Sequence, residues 1–211
     1  RNNVIYNWGM NSAYVGEEGE HNMVNNYYKA GPATPAAVRN RVVNPSKPYG
    51  KFYVAGNYVA GDEQVSQNNW AGGVQCDDPE VTRSMNAFAY APVATQTAEE
   101  AYKLVLAVAG ASLKRDAVDA RVVDEVRRGT ATYTGSISGR PGIIDSQEEV
   151  GGWPELKSKP APADTDKDGM PDSWEIQHNL NPNNAADAVA YTLHRQFTNL
   201  DGRPANFRQT R

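Results

Sequence analysis

The first sixty residues repeat a short pattern, and this repeat limits the folds open to the chain more than any other feature. Asn3, Asn26 and Asn57 each precede β-branched or aromatic residues, and a glycine follows each group. The asparagines are 23 and 31 residues apart. A period in the low twenties with strand-like residues is typical of a parallel β-helix with one coil per repeat. Three unrelated asparagine-rich turns are the alternative.

Asparagines at one place in successive coils can hydrogen-bond to each other and satisfy polar groups in a dry interior. We therefore expect residues 1–93 to form the last coils and loops of a parallel β-helix. The chain opens at Arg1 directly on this pattern, and an uncovered coil end exposes unpaired strand edges. We therefore expect further coils to precede it in a longer protein, of which these 211 residues are the C-terminal part.

Residues 94–150 are expected to be a helical segment that packs on the coils. Thr97 and Glu100 form a capping box for a first helix. A second helix is predicted from Asp116 to Arg128, with Gly129 as its stop. The predicted apolar stripes are Ala101, Leu104, Val105 and Val108 in the first helix, and Val118, Val122 and Val126 in the second.

The segments beside these helices are rich in glycine, proline and polar residues. Residues 62–93 are predicted to be a surface loop anchored on the core by Trp70 and Phe88. Trp153 is expected to dock the connector that follows the second helix.

The segment from Asp164 to Glu175 matches the calcium loop D-x-D-x-D-G-x5-E at every specified position. So many carboxylates repel one another without a cation, which favours a hard metal. Calcium suits the loop better than magnesium, which prefers a tighter octahedral site. A merely acidic loop is the alternative. The expected ligands are Asp164, Asp166, Asp168, Met170 through its carbonyl, Asp172 and Glu175.

This loop differs from an ordinary EF-hand. Pro160 and Pro162 are incompatible with an incoming helix, so only an exit helix from Ser173 to about Asn179 is expected. A single loop of this kind indicates a structural calcium site. Residues 151–211 are thus expected to be a small EF-hand-like calcium-loop tail on a mainly β chain.

A basic stretch lies within this otherwise acidic chain, whose net charge is -4. Five basic residues and no acidic residue occur between Lys29 and Lys51. Such a patch suits an anionic partner, and a solvated loop with chance charge is the alternative. The overall acidity and the lack of a nucleic-acid motif argue against a nucleic-acid partner.

Other chemistries have little support in the sequence. The three histidines lack zinc-ligand spacing, and the single cysteine, Cys76, lies beside two aspartates that raise a thiol pKa. Glu17, Glu18 and Glu20 could suggest a glycosidase pair, but a solvated loop is the simpler interpretation. No run of about 18 apolar residues predicts a membrane span.

Four segments, two near each end of the chain, resemble a known family. The segments Arg1–Gly9 and Asn22–Pro32 are similar to the later coils of pectate lyases of polysaccharide lyase family one. The segments Pro171–Glu175 and Leu180–Pro182 are similar to a tail that many of those secreted enzymes carry.

The resemblance implies a right-handed parallel β-helix that cleaves polygalacturonate by β-elimination. It also implies calcium as cofactor and an arginine base, both held on coils that precede Arg1–Val4, so no catalytic residue is assigned here. The family often has a substrate-contacting arginine in the coil that corresponds to Asn11–Gly19, where this chain has Tyr14 to Glu18. Basic residues on the rim, Lys29, Arg39 and Arg41, are then expected to hold galacturonate carboxylates.

Two functional classes follow from these patterns. The first is the C-terminal part of a secreted pectate lyase, located outside the cell, in the periplasm or on the cell surface, with the preceding coils as a partner. The second is a non-catalytic, calcium-stabilised module that binds anionic polysaccharide.

Overall fold

The structure, a computed structural model, describes residues 1–155, 157, 159–194 and 197–202. The chain divides into two compact units, residues 1–154 and 155–211. Among the described residues, no helix is both long and apolar enough to cross a membrane.

Seven short strands in the first unit form three small sheets, and every pairing within them is parallel. The sheet orders are β1-β4-β7, β2-β5 and β3-β6, so each strand pairs with one from an adjacent turn of the chain, which we call a coil. The strands are β1 (Val4–Tyr6), β2 (Tyr14–Val15), β3 (Glu20–Val24), β4 (Tyr27–Lys29), β5 (Asn44–Pro45), β6 (Lys51–Ala55) and β7 (Tyr58–Val59).

The strand register follows the sequence repeat. Val4 pairs with Tyr27, and Tyr27 pairs with Tyr58. These offsets equal the spacing of the repeated asparagines, so the prediction that the repeats stack in register is confirmed. The alternative of three unrelated turns is wrong.

The asparagines form a ladder alongside β1, β4 and β7. The side-chain amide of Asn3 donates to Asn26 Oδ1 (2.8 Å), and that of Asn26 donates to Asn57 Oδ1 (2.9 Å). A fourth rung, which the repeat does not reveal, is Asn69, whose Oδ1 accepts from the Asn57 amide (3.0 Å). Asn69 then donates to Val65 O (2.7 Å) and so joins the ladder to the end of a helix.

The core of the first unit lies between the sheets. Valines from successive coils pack there with Tyr28 and Phe52, and Trp8 meets Tyr28 edge to face. Trp70 packs against this cluster, and its indole donates to Val54 O (3.2 Å), which confirms it as an anchor. Phe88 is held through its backbone, which exchanges two hydrogen bonds with the Asn22 side chain.

The prediction that residues 62–93 are loop throughout is wrong in two places. Short helices α1 (Glu63–Gln67) and α2 (Pro79–Thr82) interrupt the segment. Asp62 and Asp78 cap them through their side chains. Aspartate favours turns and helix N-caps alike, so composition alone did not distinguish the two.

Two longer helices follow, α3 (Ala98–Val108) and α4 (Ala117–Arg128). Thr97 and Glu100 form the predicted capping box, and Gly129 ends α4 in the left-handed conformation. The predicted stripes are partly wrong, because Leu104, Val108 and Val122 are exposed. The small side chains of Ala98 and Ala101, with Leu106, form the buried face of α3, which packs against β1 and β4.

The second unit contains α5 (Asp172–Gln177) and α6 (Asn199–Gly202), with a 3-10 helix over Ala185–Asp187 between them. Its core is small and consists of Met170, Trp174 and Ala188, flanked by Leu180 and Leu200. The exit helix predicted after the acidic loop is present as α5. Trp153, at the end of the first unit, is 83% exposed, so the prediction that it docks is wrong.

Helices contain more residues than strands across the described chain. The strands are only two to five residues long, so the chain is mixed in content instead of mainly β. The small parallel sheets with helices beside them agree with the expected architecture in outline.

Candidate metal centre

The acidic loop folds back on itself before α5. Gly169 has a φ of 92° and Lys167 a φ of 62°, so two left-handed residues make the turn. Glycine reaches this conformation without a Cβ clash, which is why the motif specifies it there. The turn brings the first three aspartates of the loop together.

Each of these aspartates uses one oxygen to hold the loop. Gly169 N donates to Asp164 Oδ2 (3.1 Å), and Met170 N donates to Asp168 Oδ1 (2.7 Å). Asp168 N donates to Asp166 Oδ1 (3.3 Å). The other oxygen of each carboxylate is buried and accepts no hydrogen bond from a described residue. Ligand atoms of the three residues lie within 4.8 Å of one another.

Glu175 lies on α5 and closes the loop from the other side. Its side chain has no exposed surface. Neither carboxylate oxygen has a hydrogen-bond partner in the described part of the chain. Ligand atoms of Glu175, Asp168 and Asp187 also lie within 4.8 Å of one another. Asp168 therefore belongs to two candidate groups.

The electrostatics of this cluster are unfavourable without a cation. Burial, followed by the negative charges of Asp168, Asp166 and Asp187, raises the pKa of Glu175 to about 7. Burial and the neighbouring aspartates also raise the pKa of Asp168. A buried, unpartnered carboxylate is costly unless it is protonated or meets a positive charge.

These residues fit a hard divalent cation. Several anionic oxygens converge without protein donors, and oxygen-only donor sets suit calcium or magnesium. The cluster can therefore hold a metal ion. The two candidate metal groups among the described residues contain no histidine and no cysteine.

Two of the predicted ligands are placed differently from the rest. Both oxygens of Asp172 accept hydrogen bonds from Thr165, one from its N–H and one from its hydroxyl (2.7 Å each). The Met170 side chain is fully buried in the core of the unit. Coordination by Asp172 and by the Met170 carbonyl stays a prediction.

Asp187 is a candidate ligand that the sequence reasoning missed. It lies 12 residues beyond Glu175, where the loop motif specifies nothing. Only the folding of residues 178–187 back towards the loop brings its carboxylate to the cluster, so the pattern carried no signal for it.

The chain is similar to several curated proteins. It is 33% identical over 205 residues to a probable pectate lyase C of Aspergillus flavus, a match that covers 91% of this chain and 45% of that protein. It is 31% identical over 191 residues to a probable pectate lyase C of Emericella nidulans, covering 86% of this chain and 41% of the relative. Over most of its own length, this chain is therefore similar to proteins named as probable pectate lyases. It spans less than half the length of these relatives, and no family model matches it.

The three basic residues predicted as substrate contacts have different surroundings in the structure. The Lys29 ammonium donates to the carbonyls of Val126 and Arg127 at the end of α4 (2.8 Å each). The positive charge of Lys29 therefore stabilises the C-terminal end of helix α4.

The two arginines predicted as substrate contacts, Arg39 and Arg41, lie between strands β4 and β5. Arg41 donates to Gln75 Oε1 (2.8 Å), Asn11 Oδ1 (2.6 Å) and Met10 O (3.0 Å). All three partners are neutral, so the guanidinium is held in place without an acidic partner among the described residues. Arg39 is exposed. The assignment of Lys29, Arg39 and Arg41 as substrate contacts stays a prediction.

Proposed function

We propose that this chain is the C-terminal part of a secreted pectate lyase that cleaves polygalacturonate by calcium-assisted β-elimination. The observation that carries the proposal is the similarity to probable pectate lyases over 86–91% of this chain. In this proposal residues 1–93 are the last coils of a right-handed parallel β-helix. Residues 94–150 are the helices that pack on it, and residues 151–211 are a calcium-loop tail.

The stacked parallel strands support the β-helix. Asn3, Asn26 and Asn57 each donate a side-chain amide hydrogen to the Oδ1 of the next rung in chain order. Asn3 Oδ1 accepts no hydrogen bond from any described residue, and β1 is paired on one side only. This open end suits a preceding coil whose asparagine donates to Asn3, and we propose that such coils hold the catalytic groups.

The proposed reaction removes the C5 proton of a galacturonate unit and expels the O4-linked part of the polymer. A new double bond remains in the product. Calcium, when bound to the substrate carboxylates, would supply the positive charge that acidifies the C5 proton. We assign no catalytic residue within this chain.

Among the basic residues, Arg41 and Arg39 are the stronger candidates for contact with the polymer. Arg41 is positioned by neutral partners and keeps its full charge available for a carboxylate. The exposed Arg39 side chain can meet a carboxylate with planar, paired hydrogen bonds, whereas Arg41 already donates from Nε and Nη1 and offers Nη2. Lys29 is the weaker candidate, because two carbonyls already accept from its ammonium.

The tail site is proposed to bind calcium in a structural role. Asp164, Asp166, Asp168 and Glu175 would hold the ion, with Met170 and Asp172 as the further ligands expected from the loop motif. Bound calcium would neutralise the buried carboxylates and let the loop and α5 pack together. The non-catalytic binding module is not favoured, because the similar proteins are named as lyases.

The test is an assay on polygalacturonate with calcium, following the ultraviolet absorbance of the unsaturated product. We expect no cleavage by the 211-residue chain alone, and cleavage by the longer protein that contains it. A matched reaction with excess chelator should abolish the signal. Cleavage by the chain alone would contradict the upstream location of the catalytic groups. No cleavage by the longer protein would overturn the assignment as a lyase.

A further inference from the structure

Asp187 lies outside the acidic loop, at the end of the 3-10 helix Ala185–Asp187. Its Oδ2 accepts a hydrogen bond from Asn181 N (3.0 Å), which fixes the carboxylate. Its Oδ1 is buried and has no hydrogen-bond partner among the described residues. The side chain is therefore oriented by one oxygen and leaves the other free.

The free oxygen belongs to a second carboxylate group. Ligand atoms of Asp187, Glu175 and Asp168 lie within 4.8 Å of one another, a separation that one cation can bridge. Glu175 is fully buried and both of its oxygens lack hydrogen-bond donors from the described chain. A fully buried carboxylate that faces two others and no donor points to a positive charge as the missing partner.

We infer that Asp187 is a ligand of the same cation that the loop binds, so that the site is closed by a residue from beyond the loop. This inference rests on the proposed calcium site. Asp168, which belongs to both carboxylate groups, joins the loop aspartates to Glu175 and Asp187.

The consequence is a link between the loop and the last described segment of the chain. Asn199 is fully buried, and its amide donates to Asp187 O (2.8 Å). Leu200 N donates to Ala188 O (3.1 Å), and Ala188 packs with Met170 and Trp174. A cation bound to Asp187 therefore stabilises the described residues around Asn181, Ala188 and Asn199 as well as the loop.

The test is calcium titration of the full 211-residue chain by calorimetry, with three variants. Asp187→Asn keeps an oxygen for the Asn181 N–H but replaces the free oxygen with an amide that cannot ligate. Asp201→Asn removes the same charge from the same unit, at an exposed aspartate whose carboxylate accepts, within the described part of the chain, from Thr198 alone. Asp164→Asn is the positive control within the loop.

We expect the Kd of Asp187→Asn for calcium to rise at least ~10-fold, because ligand charge sets the affinity of such sites. Asp201→Asn should bind as the wild-type chain does. Circular dichroism in chelator should be the same for wild type and Asp187→Asn, which excludes a folding defect as the cause.

Other outcomes separate this inference from the proposed calcium site. A wild-type chain that binds no calcium overturns the proposed site and the inference with it. Unchanged affinity in Asp187→Asn overturns the inference alone. If the wild-type chain binds two independent calcium ions and Asp187→Asn loses only one of them, the single shared site is overturned.

Discussion

Asn57 shows how much one polar side chain contributes to the stack. It has no exposed surface, and its amide donates to Met23 O (2.7 Å) and Asn69 Oδ1 (3.0 Å). Its own Oδ1 accepts from both the backbone and the side chain of Asn26. One residue thus satisfies polar groups on three neighbours, Met23, Asn26 and Asn69.

Substitution of Asn57 by alanine is expected to destabilise the first unit by about 2–4 kcal/mol. The change leaves several buried donors and acceptors unpaired, at roughly 1–3 kcal/mol for each such group before relaxation. The measurement is urea unfolding followed by circular dichroism. Asn3→Ala is the matched control, because Asn3 is the exposed rung of the same ladder, and it should cost much less. Equal losses in both variants would contradict this account of the ladder.

Glu149 makes the stability of the first unit depend on pH. Hydrogen bonds from Ser136, and then from the Asp145 amide, lower the pKa of Glu149 from 4.5 to about 2. A lowered folded-state pKa stabilises the fold above the ordinary pKa of 4.5, and this contribution is lost as pH falls towards about 2.

We expect Glu149→Gln to reduce the acid sensitivity of this unit. The variant should lose stability at neutral pH, where wild-type Glu149 is ionised, and should change less between the two pKa values. Urea midpoints at neutral pH and in that acidic interval measure the difference. Glu148→Gln is the control, since Glu148 is exposed and its carboxylate accepts, among the described residues, from the neighbouring Gln147 alone. The same flattening in both variants would rule out the role of Glu149.

At the scale of elements, Lys29 connects strand β4 to helix α4. Its ammonium meets the carbonyls at the negative end of the helix. Lys29→Met is expected to weaken this contact by about 1.5–3 kcal/mol, the range for a hydrogen bond to a charged group.

Amide hydrogen exchange over residues 126–130 measures the effect of Lys29→Met, and exchange there should accelerate. Lys103→Met is the control, because Lys103 is exposed on α3 and makes no side-chain hydrogen bond to the described residues. A variant that binds polygalacturonate less tightly but leaves α4 unchanged would instead assign Lys29 to the substrate.

The elements that the sequence predicted are those with a local signal. The repeat at Asn3, Asn26 and Asn57 predicted strands β1, β4 and β7 with their register, because equal coil positions carry equal residues. Thr97 predicted the start of α3 and Gly129 predicted the end of α4, because helix caps are local sequence signals. In the other two sheets, the paired positions carry different residue types, so no repeat predicts their pairing. Their pairing depends on the coil geometry that the first sheet sets.

The site was predictable only where its candidate ligands lie in one contiguous stretch of sequence. The loop from Asp164 to Glu175 carries its own pattern. Asp187 reaches the cluster through a fold of the chain that no short motif encodes. Lys29 was missed as a helix cap, because its partners lie 97 and 98 residues away in sequence.

At the scale of the whole molecule, the two units are expected to respond differently to calcium. A ligand that binds only the folded state stabilises it by about 2.7 kcal/mol at 100 times its Kd. The proposed ligands all lie within residues 155–211. Calcium should therefore raise the unfolding temperature of that unit and leave residues 1–154 unchanged.

Differential scanning calorimetry in calcium and in chelator measures this response. Asp164→Asn should remove the shift, and magnesium at equal concentration should produce a smaller one. A calcium-dependent transition in residues 1–154 would place a further ion outside the tail.

In the asparagine ladder, the number of residues between two rungs differs while the strands stay in register. Coils of 23 and 31 residues end on the same kind of rung and in the same strand register. Extra residues between two rungs are accommodated in the loops and leave the strands aligned. Loop length in such a stack is therefore free to vary, and the outline of its surface can change while its interior stays the same.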